Sequence, residues 1–304
     1  MTSITFSDLL TIIFVLVDDW YQSEGQSYLN GKVGTHPIFT DSEVITLVLA
    51  RDFLSYPGES QFLAHIRANY LALFPRLLER SQFNRRARAL RLLVEQMRHA
   101  WLIQLGITGC TCFLLDTKPV PVVGVKRSNR HSDFAETASY GRCVSRNWMY
   151  YGYKLVALTT LSGLPVVYEL VPANSTEPQA AEALIDLVGS SDIVADKGFI
   201  GDPWQTTIYD QTGNRFWTPK RANQHRQNSP EFDRWLRHYR ERIEGVFHEL
   251  TNTGCCLERL HARTLVGLAT RVIAKITSHA LRFILSLRFD VNVQTFSVQT
   301  SISH

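Results

Sequence analysis

Through roughly the first 105 residues the apolar positions recur every three to four places, the period of helices with one buried face. Thr40 with Glu43 forms a capping box ahead of "VITLVLARDFL", and Tyr56-Pro57-Gly58 reads as a turn. Ser81 is placed to cap a helix through "RRARALRLLVEQM", with Leu90, Leu93, Val94 and Met97 as its apolar side. The pattern changes near Gly106. Cys112 to Leu115 is a short apolar run that predicts a strand ending at Asp116. The stretch from Lys118 to Trp148 reads as irregular and basic, because Pro119 and Pro121 argue against a long regular element. Gly152 to Thr160 and Leu164 to Val171 predict two antiparallel strands joined at Ser162-Gly163. Thr176 with Gln179 opens a helix that Gly189 closes, and Ile193 to Ala195 is the next strand, delivering Asp196 to a glycine turn. "RFWTPKR" is a possible further strand. Ser229 and Pro230 start a helix whose stripe is Phe232, Trp235, Leu236, Tyr239, Ile243, Val246, Phe247 and Leu250. A last long helix spans about Leu265 to Leu287, with Leu268, Val272, Ile276, Ala280, Phe283 and Leu287 at core spacing.

This order predicts a mixed sheet with helices on its faces, since a strand reached through a helical crossover runs parallel to a neighbour. Three strands, a crossover helix and a fourth strand is the core order of the RNase H-like fold. The expected fold class is therefore α/β: an RNase H-like mixed-sheet core, residues 106–304 with C-terminal helices, preceded by an all-α domain over residues 1–105.

Composition changes this picture little; charge distribution changes it more. The net charge is only +4, but residues 76–98 hold seven arginines against Glu79 and Glu95. Residues 215–242 hold eight Lys or Arg against Glu231, Asp233 and Glu241. Such clustering suits a polyanion, with a merely solvated basic face as the other reading. Arg85, Arg86 and Arg88 occupy the first turns of a helix that could enter a DNA groove; Lys126, Arg127, Lys220, Arg221, Arg237 and Arg240 are further candidate DNA contacts. The five cysteines, Cys110, Cys112, Cys143, Cys255 and Cys256, show no zinc spacing and read as reduced. No secretory signal is present, and the longest apolar helix is interrupted by Arg271, Lys275, His279 and Arg282, so no membrane partner is expected.

The candidate chemistry is a set of carboxylates. Asp116 and Asp196 both follow short apolar strands, and such ends can share one sheet edge, where ligands bind. Glu244 interrupts the apolar stripe of the late helix, flanked at one turn by Arg240 and His248 and at two by Arg237. Two carboxylates about 4 Å apart repel by roughly 4 kcal/mol at an effective dielectric near 20. A hard divalent cation removes that cost; Mg²⁺ accepts carboxylate and phosphate oxygens, and a pair of such ions suits in-line phosphodiester displacement. Taken singly, each acid has a structural alternative: Asp116 capping a turn, Asp196 paired with Lys197, Glu244 paired with Arg240.

"FLLDT", "VADKGFIG" and "RERIEGVF" resemble the three blocks of a DDE transposase of bacterial insertion sequences. "TDSEVITLVLARDFL", "LFPRLLERSQFNRR" and "DTKPVPV" are similar to the insertion-sequence 982 family, so the resemblance runs from about Thr40 to Leu287. It implies Asp116, Asp196 and Glu244 as catalytic and metal-binding acids, with Asp116 shared between two ions. It also implies dependence on Mg²⁺, with Mn²⁺ as a substitute, and DNA cleavage and strand transfer at terminal inverted repeats. The implied partners are double-stranded DNA, both transposon ends and target, and further copies of the chain as a homodimer or higher oligomer in the DNA complex. The implied location is the bacterial cytoplasm, on the nucleoid when DNA is bound. Related families place Tyr, Arg and Lys around the glutamate; here Arg240 keeps its position, Arg237 stands at the Tyr position and Thr251 at the Lys position.

Two other readings stay open at this point: a non-catalytic DNA-binding protein, and an RNase H-like nuclease without strand transfer. Three intact acids argue against the first. A strand-joining assay separates the second.

Overall fold

The computed structural model describes residues 4–29, 37–56, 58–124, 133–143, 146–199, 201–220, 227–292 and 296. In chain order these form α1 (Phe6–Ser23), α2 (Asp41–Ala50), α3 (Glu59–Asn69), α4 (Arg80–Ala89), α5 (Arg91–Gln104), β1 (Cys112–Val123), β2 (Ser139–Cys143), β3 (Trp148–Thr160) and β4 (Pro165–Pro172). They continue as α6 (Glu177–Ile185), β5 (Asp192–Ala195), α7 (Asp202–Thr212), β6 (Arg215–Trp217), α8 (Pro230–Asn252) and α9 (Leu265–Phe289). The chain divides into two compact units, residues 1–105 with 250–304, and residues 106–249.

The regular elements of the first unit are helical. Capping boxes at Thr5/Asp8 and Thr40/Glu43 satisfy the first backbone N–H groups of α1 and α2. The helix expected after Ser81 is two helices. Glu79, not Ser81, is the N-cap of α4, and the chain turns at Leu90, where φ is −88° and ψ −1°. After the split α4 packs on α2, α9 and α3, and α5 chiefly on α9. The expected division kept the C-terminal helices with the sheet, whereas by contact α9 groups with the first 105 residues. Its stripe Leu268, Val272, Ile276 and Ala280 is buried, as the helical spacing requires. Asp52, Lys275 and Arg282 form a charged centre in this unit; Lys275 is completely buried and lies 2.7 Å from Asp52.

The second unit is built on one sheet, ordered β2-β3-β1-β5-β6, with β4 also pairing β3. β1, β3 and β4 are antiparallel neighbours; β5 runs parallel to β1, and β6 parallel to β5. This is the expected core order of a hairpin, a crossover through α6 and a parallel strand. β1 departs from expectation. It does not stop at Asp116 but continues to Val123, paired with β3 from Phe113 with a register shift between Pro121 and Val123. Prolines at 119 and 121 are tolerated because β5 pairs only with Cys112–Leu115, so the other edge of β1 is free of that strand beyond Leu115. The stretch read as irregular contains β2, and β3 begins at Trp148 rather than Gly152. The helix α7 carries no strong apolar pattern and escaped sequence reading. The helix opened by Thr176 ends at Ile185, four residues before Gly189.

On α8 the stripe residues Leu236, Ile243, Val246, Phe247 and Leu250 are buried, as the helical spacing requires. The hairpin tip fixes its position. Gly163 has φ +92°, and a Cβ there would come within 2.9 Å of Val246 and 3.0 Å of Arg242. Arg242 Nε donates to the Ser162 carbonyl at 2.9 Å. A glycine turn, a guanidinium and an apolar stripe thus set the rotation of the helix that carries Glu244.

Candidate active site

The last paired residues of β1 and β5 are Leu115 and Ala195. Asp116 and Asp196 are each one step further along parallel neighbours in register. They therefore leave the sheet on the same face, because side chains alternate along both strands in phase. Placement of the two acids rests on register, not on both strands ending: β1 carries on, and β5 stops.

Glu244 reaches the same place through Arg240. One turn earlier on α8, the Arg240 guanidinium lies 3.1 Å from Asp196 and 3.6 Å from Glu244. Arg240 is about a quarter exposed, while Asp196 and Glu244 are roughly half and three-fifths exposed (27%, 46% and 61% of the side chain). Asp116 is the enclosed member. Burial pushes its carboxyl up to about 7, reinforced by the charges of Asp196, Glu177 and Glu244 and opposed by a hydrogen bond from the Thr117 N–H. That bond is 2.7 Å to Oδ1.

Glu177 was not found in the sequence. It opens α6 behind the Thr176 cap and is held by Lys154 of β3, whose Nζ lies 3.0 Å away and also donates to the Ser175 carbonyl at 2.8 Å. Its other oxygen, Oε2, is buried without a hydrogen-bond partner. Gly198 explains itself here. It does not have a left-handed φ, so the turn after Asp196 does not need it; a Cβ would meet the Glu177 side chain at 3.0 Å. Glycine keeps room for a fourth carboxylate. The only sequence signal was the capping box, which marks a helix start and not a site.

The donor set fits a hard cation. Every candidate ligand is a carboxylate oxygen, the charges of Asp196, Glu177 and Glu244 all disfavour ionised Asp116, and one buried oxygen of Glu177 has no donor. Among the described residues, no three acidic, histidine or cysteine side chains already form a metal cage. The acids are instead spread about Arg240, which supplies the positive charge between two of them.

The candidate DNA contacts divide. Arg85 is exposed on α4, and Arg237 is exposed on α8. Arg86 is committed to structure, 2.6 Å from Asp41, with a further bond to the Phe39 carbonyl. Arg88 turns into the first unit, its Nε buried. Lys220 is partly buried after β6. Lys126, Arg127 and Arg221 lie outside the described residues. Among those residues no helix is long and apolar enough to cross a membrane.

The enclosed aspartate has a measurable consequence. A carboxyl at about 7 in the folded chain, against an ordinary value of 3.8, holds a proton that the unfolded chain has already lost between those values. Folding stability therefore falls as pH rises across that window, by at most about 1.4 kcal/mol per pH unit, and is flat above it. Urea unfolding of metal-free protein at pH 5 and pH 7.5 is expected to show the loss, and Asp116→Asn to remove this component. An unchanged pH dependence in the variant would place the titrating group elsewhere.

A mixed sheet presenting aspartates at adjacent register positions, with a helix-borne glutamate beside them, is consistent with an RNase H-like transposase core. The model of the transposase DDE domain family matches residues 110–281, more than half of the chain, and the chain belongs to that family. It is a DDE transposase, and DNA is its partner. The match begins two residues before β1 and covers Asp116, Asp196, Glu244 and most of α9. No curated protein and no solved structure matches the chain.

Proposed function

We propose that the chain is the transposase of an insertion sequence similar to the 982 family, cutting DNA at terminal inverted repeats and joining the freed 3′-OH to target DNA. The observation that carries this reading is the convergence just described: Asp116 and Asp196 in register on parallel strands, and Glu244 tied to Asp196 through one guanidinium. Asp116, Asp196 and Glu244 are the proposed holders of Mg²⁺, with Mn²⁺ as substitute. When bound, the ion supplies charge neutralisation at the scissile phosphate and a lowered pKa for water.

The chain's own groups do the rest. Asp116 is protonated for part of the time near neutrality, and positive charge beside it favours loss of that proton. Arg240 holds Asp196 and Glu244 together despite their like charge. Arg237, exposed one turn earlier on α8, is positioned to meet backbone phosphate, which supplies most DNA affinity. Lys154 holds Glu177 against the back of the site. In this reading residues 1–105 provide DNA contacts and residues 106–304 include the catalytic core, and the active form on DNA is a dimer or larger.

The test is strand joining. Purified protein, Mg²⁺ and DNA carrying the flanks of its own coding element are expected to yield 3′-OH ends joined to target DNA. Cleavage with no joined product under those conditions would instead support a nuclease. For DNA contact, Arg85→Glu is the clean variant, since Arg86 is held by Asp41. Loss of one phosphate contact is expected to lower the slope of log K against log salt by about 0.9. An unchanged slope assigns Arg85 to structure.

A further inference from the structure

The helical unit contains a cavity of about 350 Å³ that the transposition chemistry leaves unused. That volume lies at the lower end for small-molecule sites. Its wall brings together four arginines from separate parts of the chain: Arg51 after α2, Arg88 of α4, Arg259, and Arg271 of α9. Two acids share the wall, and both are already engaged. Asp52 is held by Lys275 at 2.7 Å and Arg282 at 3.0 Å. Glu59 accepts from Asn84 at 3.1 and 3.2 Å.

Of the two acids on this wall, Asp52 is paired with Lys275 and Arg282, which leaves Glu59, hydrogen-bonded only to a neutral amide, to face four arginines. Among the described residues neither Arg51 nor Arg88 makes a side-chain ion pair, and each buries its Nε without a hydrogen-bond partner. Arg271 spends one nitrogen on the Leu260 carbonyl at 2.6 Å. Burial lowers its pKa; the charges of Arg51 and Arg88 add to that effect, and Glu59 and Cys255 oppose it. Like charges gathered in a protein interior cost stability unless something neutralises them. Planar guanidinium forks bind carboxylate or phosphate through paired charge-assisted hydrogen bonds, and a phosphate monoester, with three acceptor oxygens and roughly two negative charges, answers several arginines at once. Tyr56 and Phe83 on the same wall offer apolar surface to whatever the phosphate is attached to.

We propose that this cavity is a binding site for a phosphate monoester, with Arg51, Arg88 and Arg271 holding the phosphate. A free 5′-nucleotide and the 5′-phosphate at a DNA strand end present the same chemistry. The site lies wholly within the helical unit and does not depend on how the carboxylate site works.

The experiment uses the full-length protein with inorganic phosphate, adenosine 5′-monophosphate, and a short duplex with or without 5′-phosphates. Phosphate and the nucleotide are expected to raise the melting midpoint by roughly 5 °C at about 100 times the dissociation constant, beyond chloride of matched ionic strength. Arg51→Gln and Arg271→Gln are expected to weaken phosphate binding by about tenfold or more. Because each removes one of several repelling charges, the ligand-free midpoint should stay level or rise. A gain in duplex affinity from 5′-phosphates that both variants lose identifies the strand end as the source. Equal affinity for the two duplexes, with nucleotide binding intact, identifies the free nucleotide. The proposal is overturned if phosphate does no more than matched chloride in the wild-type protein. It is also overturned if the variants melt lower without ligand and keep the full phosphate response, because the arginines would then be structural.

Discussion

Asp116→Asn, Asp196→Asn and Glu244→Gln are each expected to reduce DNA cleavage by about 10³-fold or more, with DNA affinity within a fewfold of wild type. The amide keeps the shape of each side chain and removes only charge, so the loss would report chemistry and not collapse. The three need not behave alike in stability. Asp116 sits in the field of three other carboxylates, and its neutral replacement relieves that field at neutral pH. Asp196→Asn loses its ion pair with Arg240, but both groups are partly in water, so the cost is small. Glu244→Gln removes a longer and more exposed contact. Cleavage on end-bearing DNA and filter binding of the same DNA should be measured together. Retention of more than about a tenth of wild-type cleavage by any of the three would remove that residue from the catalytic set. Glu177→Gln is a useful companion, because it changes the field at Asp116 without touching an acid of the proposed set.

The largest stability effect is expected far from the chemistry. Asp52→Ala should destabilise the protein by about 3–5 kcal/mol, a large part of the total for an ordinary domain. Asp52 Oδ1 accepts from Lys275 at 2.7 Å and from the Cys255 N–H at 3.2 Å, while Oδ2 faces Arg282 at 3.0 Å. Removing the carboxylate leaves a completely buried ammonium with only the carbonyl and hydroxyl of Thr253 as acceptors and without the counter-charge of Asp52. The backbone is equally constrained: Gly254 has φ +50°, and a Cβ there would lie 2.0 Å from the Asp52 carbonyl oxygen. The double variant Asp52→Ala/Lys275→Met should recover part of the loss, since no buried cation is then left at position 275. Urea unfolding reads this as a lower midpoint with an unchanged slope. A cost below about 1 kcal/mol for Asp52→Ala would show that water reaches Lys275 and that the centre is not dry.

Much of this protein is legible in one dimension. The capping boxes at Thr40 and Thr176, the apolar stripes of α8 and α9, and the short run into Asp196 all rest on local rules, in which neighbours within a few residues decide the outcome. Asp116 and Asp196 were candidates because each follows a short apolar run, Glu244 because it interrupts a helical stripe, and the family resemblance joined the three. Long-range pairing decided the rest. Pro119 and Pro121 look like strand breakers until β5 is seen to pair with β1 only as far as Leu115. Glu177 looks like an ordinary helix start until Lys154 and Gly198, from two other elements, frame it beside Asp116. Arg86 and Arg88 look like neighbours in one basic helix face, yet one pairs with Asp41 and the other lines a cavity completed by α9. Periodicity states which side of an element is buried. It does not state which partner buries it, and the charge environment of a side chain depends on that partner.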